Sequence, residues 1–218
     1  MVVIYFTITS FIKRENFADD CAKIWSQAVL LFLRLIHGVS YKIIGFDKLP
    51  NKACIIACKH QSAWETIIFH ILCQHPAYVY KKELLRVPFY GWFVKRMTGI
   101  EVDRQGGASA LKQLIKQTKY ILHKGHNIVI FPQGTRIPLG ASVAQYPYQV
   151  GIAALYLACD VPVVPAALNS GALWNKSMLI KKSGTITLEF LEPIQAGLKK
   201  NEFMIELESA IEEASKRL

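Results

Sequence analysis

Two stretches of the sequence have residue types and spacings suited to proton transfer and anion binding. The first is His60-Gln-Ser-Ala-Trp-Glu65, directly after the apolar run 53–59. Glu65 falls in the first turns of a helix expected over 64–73, where its carboxylate can accept the proton on one ring nitrogen of His60. That contact fixes the tautomer and makes the other nitrogen a better base. The pair forms two members of a triad-like relay without the nucleophile. The second stretch is Phe131-Pro-Gln-Gly-Thr-Arg136, at the end of the apolar run 127–131. A Pro-x-Gly turn there exposes backbone N–H groups, and the planar fork of Arg136 matches phosphate oxygens.

Two further clusters are less specific on their own. Lys81-Lys-Glu-Leu-Leu-Arg-Val-Pro88 is followed by Gly91, Gly99 and Glu101-Val-Asp-Arg104, which taken alone read as a loop and helix with surface cations. Val161-Pro-Val-Val-Pro165 precedes Asn169-Ser-Gly171, and two prolines in a strand suggest an edge or a rigid wall.

Placing these residues requires strands and helices in alternation. Ile-rich or Val-rich runs at 41–46, 53–59, 77–80, 127–131, 161–168 and 185–190 read as strands. Helices are expected at 64–73, 90–97, 108–123, 149–159 and 201–218. In 108–123 the apolar Leu111, Leu114, Ile115 and Leu122 oppose Lys112, Lys116 and Lys119. The order predicts an α/β fold, a mostly parallel or mixed sheet flanked by helices. The four clusters then fall just beyond strand ends, where such folds place their sites.

Composition narrows the class. Of 218 residues 52% are hydrophobic and 19% charged, and mean hydropathy is +0.23, which excludes a disordered chain. The net charge of +10 favours acidic partners such as a phospholipid surface or a phosphorylated substrate. Between 105 and 182, eight Lys/Arg face one acid, Asp160, which suits a surface that receives phosphate. The aromatics sit in apolar runs and are not interleaved with the cations, which argues against nucleic acid as partner. Five cysteines without a Cys-x-x-Cys exclude a disulfide scaffold and a four-Cys zinc module. His37, His70, His75, His123 and His126 lack metal-like pairing, so no metal is expected. Motifs for hydrolase, kinase, dehydrogenase and zinc-protease chemistry are absent.

The N-terminal residues are apolar but too short to span a bilayer, which takes about 20 residues. Segment 1–12 has 12 residues and 24–36 has 13, with Arg34 inside it. Neither reads as a signal peptide. The expectation is a membrane-associating segment over 1–38 that lies in the interface, held by apolar area and by Lys13, Arg14, Lys23 and Arg34, ahead of a catalytic unit over 39–218. The competing reading makes 24–36 a buried core helix.

Taken in order, the four clusters resemble the glycerolipid acyltransferase family, most closely its 1-acyl-sn-glycerol-3-phosphate acyltransferases. That family carries a His, four residues and an Asp; a Lys-x-Glu-Leu…Pro…Gly…Asp-Arg block; a Phe-Pro-Glu-Gly-Thr-Arg block; and a Val-Pro-x-x-Pro block. The resemblance covers about 41–191, with Glu65 in place of the family's Asp and Gln133 in place of its Glu. It implies a membrane-bound α/β enzyme in which His60, oriented by Glu65, is the base that deprotonates the sn-2 hydroxyl of lysophosphatidic acid. The acyl donor would be acyl-CoA or acyl-carrier protein, with no cofactor. Arg136, Gly134 and Thr135 would hold the acceptor phosphate, with Arg104 and Lys82 as second contacts and Gln133 hydrogen-bonding phosphate or a glycerol hydroxyl. The implied location is the cytoplasmic face of a membrane, the inner membrane in a bacterium. Alternatives are glycerol 3-phosphate or another lysophospholipid as acceptor, or a catalytically silent lipid-binding relative.

Overall fold

Runs of Ile, Val and Ala make the sheet because their side chains cover both faces of a buried strand. The computed structural model describes residues 17–88, 90–174 and 182–218, so the expected segment 1–12 lies outside the described residues. Among the described residues there are seven strands: β1 (Val39–Ile44), β2 (Ile55–Cys58), β3 (Ala77–Lys81), β4 (Gly99–Val102), β5 (Ile128–Ile130), β6 (Val163–Leu168) and β7 (Gly184–Phe190). They form one sheet in the order β1-β7-β6-β2-β5-β3-β4. Every neighbouring pair is parallel except β6 with β7. The mixed α/β sheet expected from the sequence is the one observed.

β2 shows why the layers form. Its four residues are fully buried, and alternate side chains enter different cores. Ile56 and Cys58, with Cys54 just ahead, pack with α1 (Phe17–His37) and α2 (Glu65–Leu72). Ile55 and Ala57 pack on the other face with α4 (Gly107–His123), α5 (Val150–Cys159) and α7 (Lys200–Arg217). Two short helices, α3 (Tyr90–Val94) and α6 (Ser170–Leu173), lie in the connections. α7 buries Phe203, Leu207, Ile211 and Ala214, a spacing of three or four that lines one helix face.

Three expectations change. The helix expected over 90–97 ends at Val94, and β4, which had no counterpart in the sequence reading, pairs with β3 at the sheet's edge. β6, with Pro165 at its centre, is not an edge strand: it lies between β7 and β2. The missing N–H is tolerated because of where it points. Val163 exchanges both backbone bonds with Ile194, and the Pro165 carbonyl accepts from Leu191 N–H, so this side of β6 faces the stretch just past β7. A Pro there removes no ladder bond. Finally, α1 is neither wholly buried nor wholly free. Leu30 and Leu33 join the core, while Ile24, Leu31, Phe32, Leu35 and Ile36 stand exposed. Its first turn is tied down by Asp19, which accepts bonds from the Thr98 N–H and hydroxyl.

α7 is fastened to the end of β2 by a part-buried ion pair, whose lysine is the buried member. Lys59 Nζ lies 2.5 Å from Glu212 Oε2, and the Tyr148 hydroxyl donates to Glu212 Oε1 at 3.0 Å. Glu212→Ala leaves the Lys59 ammonium buried without its partner, so it should cost about 3–5 kcal/mol. A thermal melt checks this, with a fall in Tm on the order of 10 °C expected for a chain of this size. An unchanged Tm would mean that the pair contributes nothing net.

Candidate active site

The register of two adjacent parallel strands brings the first two clusters together. Ala57 of β2 stands beside Ile130 of β5, so the chain leaving each strand, with His60 three places past Ala57 and Phe131 one place past Ile130, emerges side by side. The His60 ring consequently stacks on Phe131, with centroids 4.1 Å apart and planes 16° from parallel. The Ile137 N–H donates to the His60 carbonyl at 2.7 Å, which fixes the backbone across the two loops.

Glu65 opens α2 and is fully buried. Its Oε1 accepts from the N–H groups of Gln61 and Ser62, at 2.5 and 2.8 Å. Its Oε2 accepts from the hydroxyls of Ser62 and Ser170, at 2.6 and 2.8 Å. Oε1 also lies 3.4 Å from His60 Nδ1, longer than a good hydrogen bond, and the buried Nδ1 has no hydrogen-bond partner among the described residues, so Glu65 is the acceptor nearest to hand. Burial alone would raise the Glu65 pKa. The His60 side chain, the Ser62 hydroxyl and the Gln61 N–H outweigh that penalty, and the pKa is held below the ordinary carboxylate value. The result is a buried, ionised carboxylate facing one nitrogen of an imidazole. The extra methylene of Glu over Asp is accommodated with all four donors in place.

A cavity of about 1360 Å³ opens beside His60. Its walls come from both faces of the sheet: Trp25, Thr66 and His70 from the α1 and α2 side, and Leu111, Leu114 and Ile152 from the α4 and α5 side. Gly134, Thr135 and Arg136 also line it, as does Arg104. Arg104 Nη2 donates to the Gly134 carbonyl at 2.7 Å. Gly134 has φ +70°, which favours glycine, and a Cβ there would come within 2.4 Å of the Arg104 guanidinium and push it off the turn. Burial lowers the Arg104 pKa, with Glu83 opposing the shift. Arg136 is half-buried and, among the described residues, has no carboxylate partner.

Two of the expected contacts are placed elsewhere. Lys82 starts a 3-10 turn (Lys82–Arg86), sits 3.7 Å from Asp103 and does not line the cavity, whereas Lys81 does. Gln133 is buried and turned away from the cavity. Its amide donates to the Tyr146 carbonyl at 3.2 Å, so it braces the segment leading to α5. Four residues at the site had no role in the sequence reading: Phe131 under the imidazole, Ser62 and Ser170 on the carboxylate, and Arg96 among the lining cations. Ser62 lies inside the His60–Glu65 spacing and was open to inspection. Ser170, 105 residues from Glu65, had no such signal.

A protein-family model described as Acyltransferase matches residues 40–169, which includes the strand ends just described. The chain is 39% identical over 162 residues to a 1-acyl-sn-glycerol-3-phosphate acyltransferase from Pseudomonas aeruginosa, covering 74% of this chain. It spans 62% of that relative's length, less than two thirds. A Bacillus subtilis protein of the same description is 30% identical over 205 residues, covering 90% of this chain and 96% of the relative. The crystal structure of a 1-acyl-sn-glycerophosphate (LPA) acyltransferase from Thermotoga maritima superposes with a TM-score of 0.72. That match covers 99% of this chain and 87% of the other at 20% identity, a likeness of fold.

Proposed function

Since the chain belongs to the acyltransferase family, we propose that it transfers a fatty acyl group to the sn-2 hydroxyl of 1-acyl-sn-glycerol 3-phosphate, giving phosphatidic acid for phospholipid synthesis. The observation that carries this reading is the imidazole of His60, backed by a buried ionised Glu65 and facing a cavity that also presents Arg104 and Arg136. The relatives' descriptions support the acceptor.

Glu65 holds the proton on Nδ1, leaving Nε2 as base. Nε2 takes the acceptor hydroxyl proton as that oxygen attacks the thioester carbonyl of acyl-CoA or acyl-carrier protein. The C–S bond then breaks, and the departing thiolate takes the proton back from the imidazolium. A thioester is already activated, so the step uses no covalent enzyme intermediate. Arg136, with the turn at Gly134 and Thr135, binds the acceptor phosphate; Arg104 supports that turn. Lys82 and Gln133 act outside the cavity. The apolar walls take the acyl chains.

The acceptor assignment is tested with labelled oleoyl-CoA and a panel of lysophospholipids plus glycerol 3-phosphate. Label should pass to lysophosphatidic acid in clear preference, and equal use of zwitterionic lysolipids would overturn the assignment. A wild type that transfers to nothing would mark a silent lipid-binding relative. Arg136→Lys keeps the charge but loses the fork, so the acceptor KM should rise about tenfold while the thioester KM moves little. Equal rises in both would remove Arg136 from the phosphate site.

Membrane contact belongs to the same proposal. Among the described residues no helix is long and apolar enough to cross a membrane. α1 instead exposes Ile24, Leu31, Phe32, Leu35 and Ile36 beside Lys23 and Arg34, a surface suited to lying in the interface of an anionic bilayer. Residues 1–38 would form this contact segment and 39–218 the catalytic unit, on the cytoplasmic face where the acyl donors are. Binding to anionic vesicles should weaken only partly at high salt, because the apolar contribution is unscreened. Leu35→Glu/Ile36→Glu should abolish most of the salt-resistant fraction; full retention would exclude α1 as the contact.

A further inference from the structure

Two neighbouring side chains of the cavity wall each bury a polar atom that has no hydrogen-bond partner among the described residues. His70 stands one turn after Thr66 on α2 and is 6% exposed. Burial pushes its imidazole down to about 4, so the ring is neutral near pH 7. Its Nδ1 is buried with no hydrogen-bond partner among the described residues. Tyr78 of β3 lies against it, ring centroids 5.1 Å apart, and the Tyr78 hydroxyl oxygen is likewise buried and unpartnered. Buried polar groups in folded proteins nearly always find partners, and each exception calls for an explanation. Both residues line the cavity although these two atoms are themselves closed off from it, so a ligand meets them only by parting the two rings.

The position of the pair indicates which part of a ligand it would meet. Successive ring contacts lead from the base to the pair: His60 to Phe131 at 4.1 Å, Phe131 to Tyr78 at 6.4 Å, and Tyr78 to His70 at 5.1 Å. Tyr78 is level with Val129 of β5, inside the sheet, whereas Arg136 lies beyond the strand end. The pair therefore sits below the reacting centre and away from the phosphate-binding turn. The same cavity is lined by Ala22, Trp25, Met97 and Phe131, apolar surface suited to an acyl chain, with Thr66 and Thr98 as further polar side chains. A neutral imidazole offers one donor and one acceptor, and a phenol offers a donor and an acceptor. Together they match a hydroxyl group, which both donates and accepts.

We propose that His70 and Tyr78 form a polar notch in the acyl-chain site that selects chains bearing a hydroxyl part-way along their length. This rests on the acyl-transfer reading and adds a specificity to it. A site that hydrogen-bonds a substrate hydroxyl discriminates against the chain lacking it, because the notch is then left unpaired.

The test compares palmitoyl-CoA with the positional isomers of monohydroxypalmitoyl-CoA in transfer to 1-oleoyl-sn-glycerol 3-phosphate. In the wild type at least one isomer should exceed palmitoyl-CoA in kcat/KM by about tenfold. Tyr78→Phe and His70→Leu should each bring that ratio close to one, whichever way the absolute rates move. The corresponding free fatty acids, titrated calorimetrically against the wild type, should show the same tenfold preference in Kd without any chemistry. Hydroxyl preference in binding but no transfer from any thioester would keep the notch and refute acyl transfer. Transfer from palmitoyl-CoA with no isomer preferred in either assay would refute the notch alone. A preference that survives both substitutions would place the hydroxyl elsewhere and refute it as well.

Discussion

His60→Ala is expected to lower kcat by about 10²–10⁴-fold, the usual range for general-base catalysis, with little change in Tm. The effect should fall on kcat more than on either KM, because the imidazole acts on a proton that moves only in the transition state. The fold should survive, because the ring is stacked on Phe131 at the cavity edge and accepts no bond that the sheet depends on. Stopped-time label transfer with matched melting curves reads both quantities. A folded variant with wild-type turnover would remove His60 from the mechanism.

Glu65→Gln should cost about as much in kcat, on the order of 10²–10⁴-fold, by a different route. The amide keeps the volume but removes the charge that stabilises the imidazolium, and its NH₂ group would point a donor at donors. Gln61 N–H, Ser62 N–H and two serine hydroxyls now converge on two carboxylate oxygens, so the variant should also lose stability. The pH dependence has a definite sign. Because the folded-state pKa of Glu65 is depressed, its stabilisation is present above the unfolded carboxylate value and is lost as pH falls through the folded one. Wild-type Tm should therefore drop on acidification below the ordinary carboxylate range. In Glu65→Gln that part of the drop should vanish, and an identical acid limb in both proteins would assign it to other groups.

How much of this was legible in the sequence depends on how local each signal is. β2 and α2 were readable because an uninterrupted apolar run and a helix-starting Glu65 are short-range patterns. The placing of His60 beside Glu65 followed from the same few residues. β4 was not readable: of Gly99, Ile100, Glu101 and Val102 only Ile100 is buried, and an edge strand paired on one side shows no strong alternation. Pro165 misled for a similar reason, since its tolerance depends on Leu191 and Ile194 across the sheet. At the site, spacing could not tell Lys81 from Lys82. The strand ends between them, so one reaches the cavity and the other pairs with Asp103. Nor could it show that Gln133 turns toward Tyr146, which the left-handed bend at Gly134 and the adjoining segment decide together. Ser170 reaches Glu65 only through the tertiary fold.

The central claim is that this chain moves an acyl group onto a phosphorylated acceptor at His60. It is tested most directly by following thiol release from oleoyl-CoA and labelled phosphatidic acid together, in one reaction of purified wild-type protein with 1-oleoyl-sn-glycerol 3-phosphate. The account predicts equal initial rates of thiol and phosphatidic acid, both dependent on His60 and both falling sharply when the acceptor is 1-oleoylglycerol without its phosphate. Thiol release without phosphatidic acid, or phosphatidic acid formed at undiminished rate by folded His60→Ala protein, would contradict it.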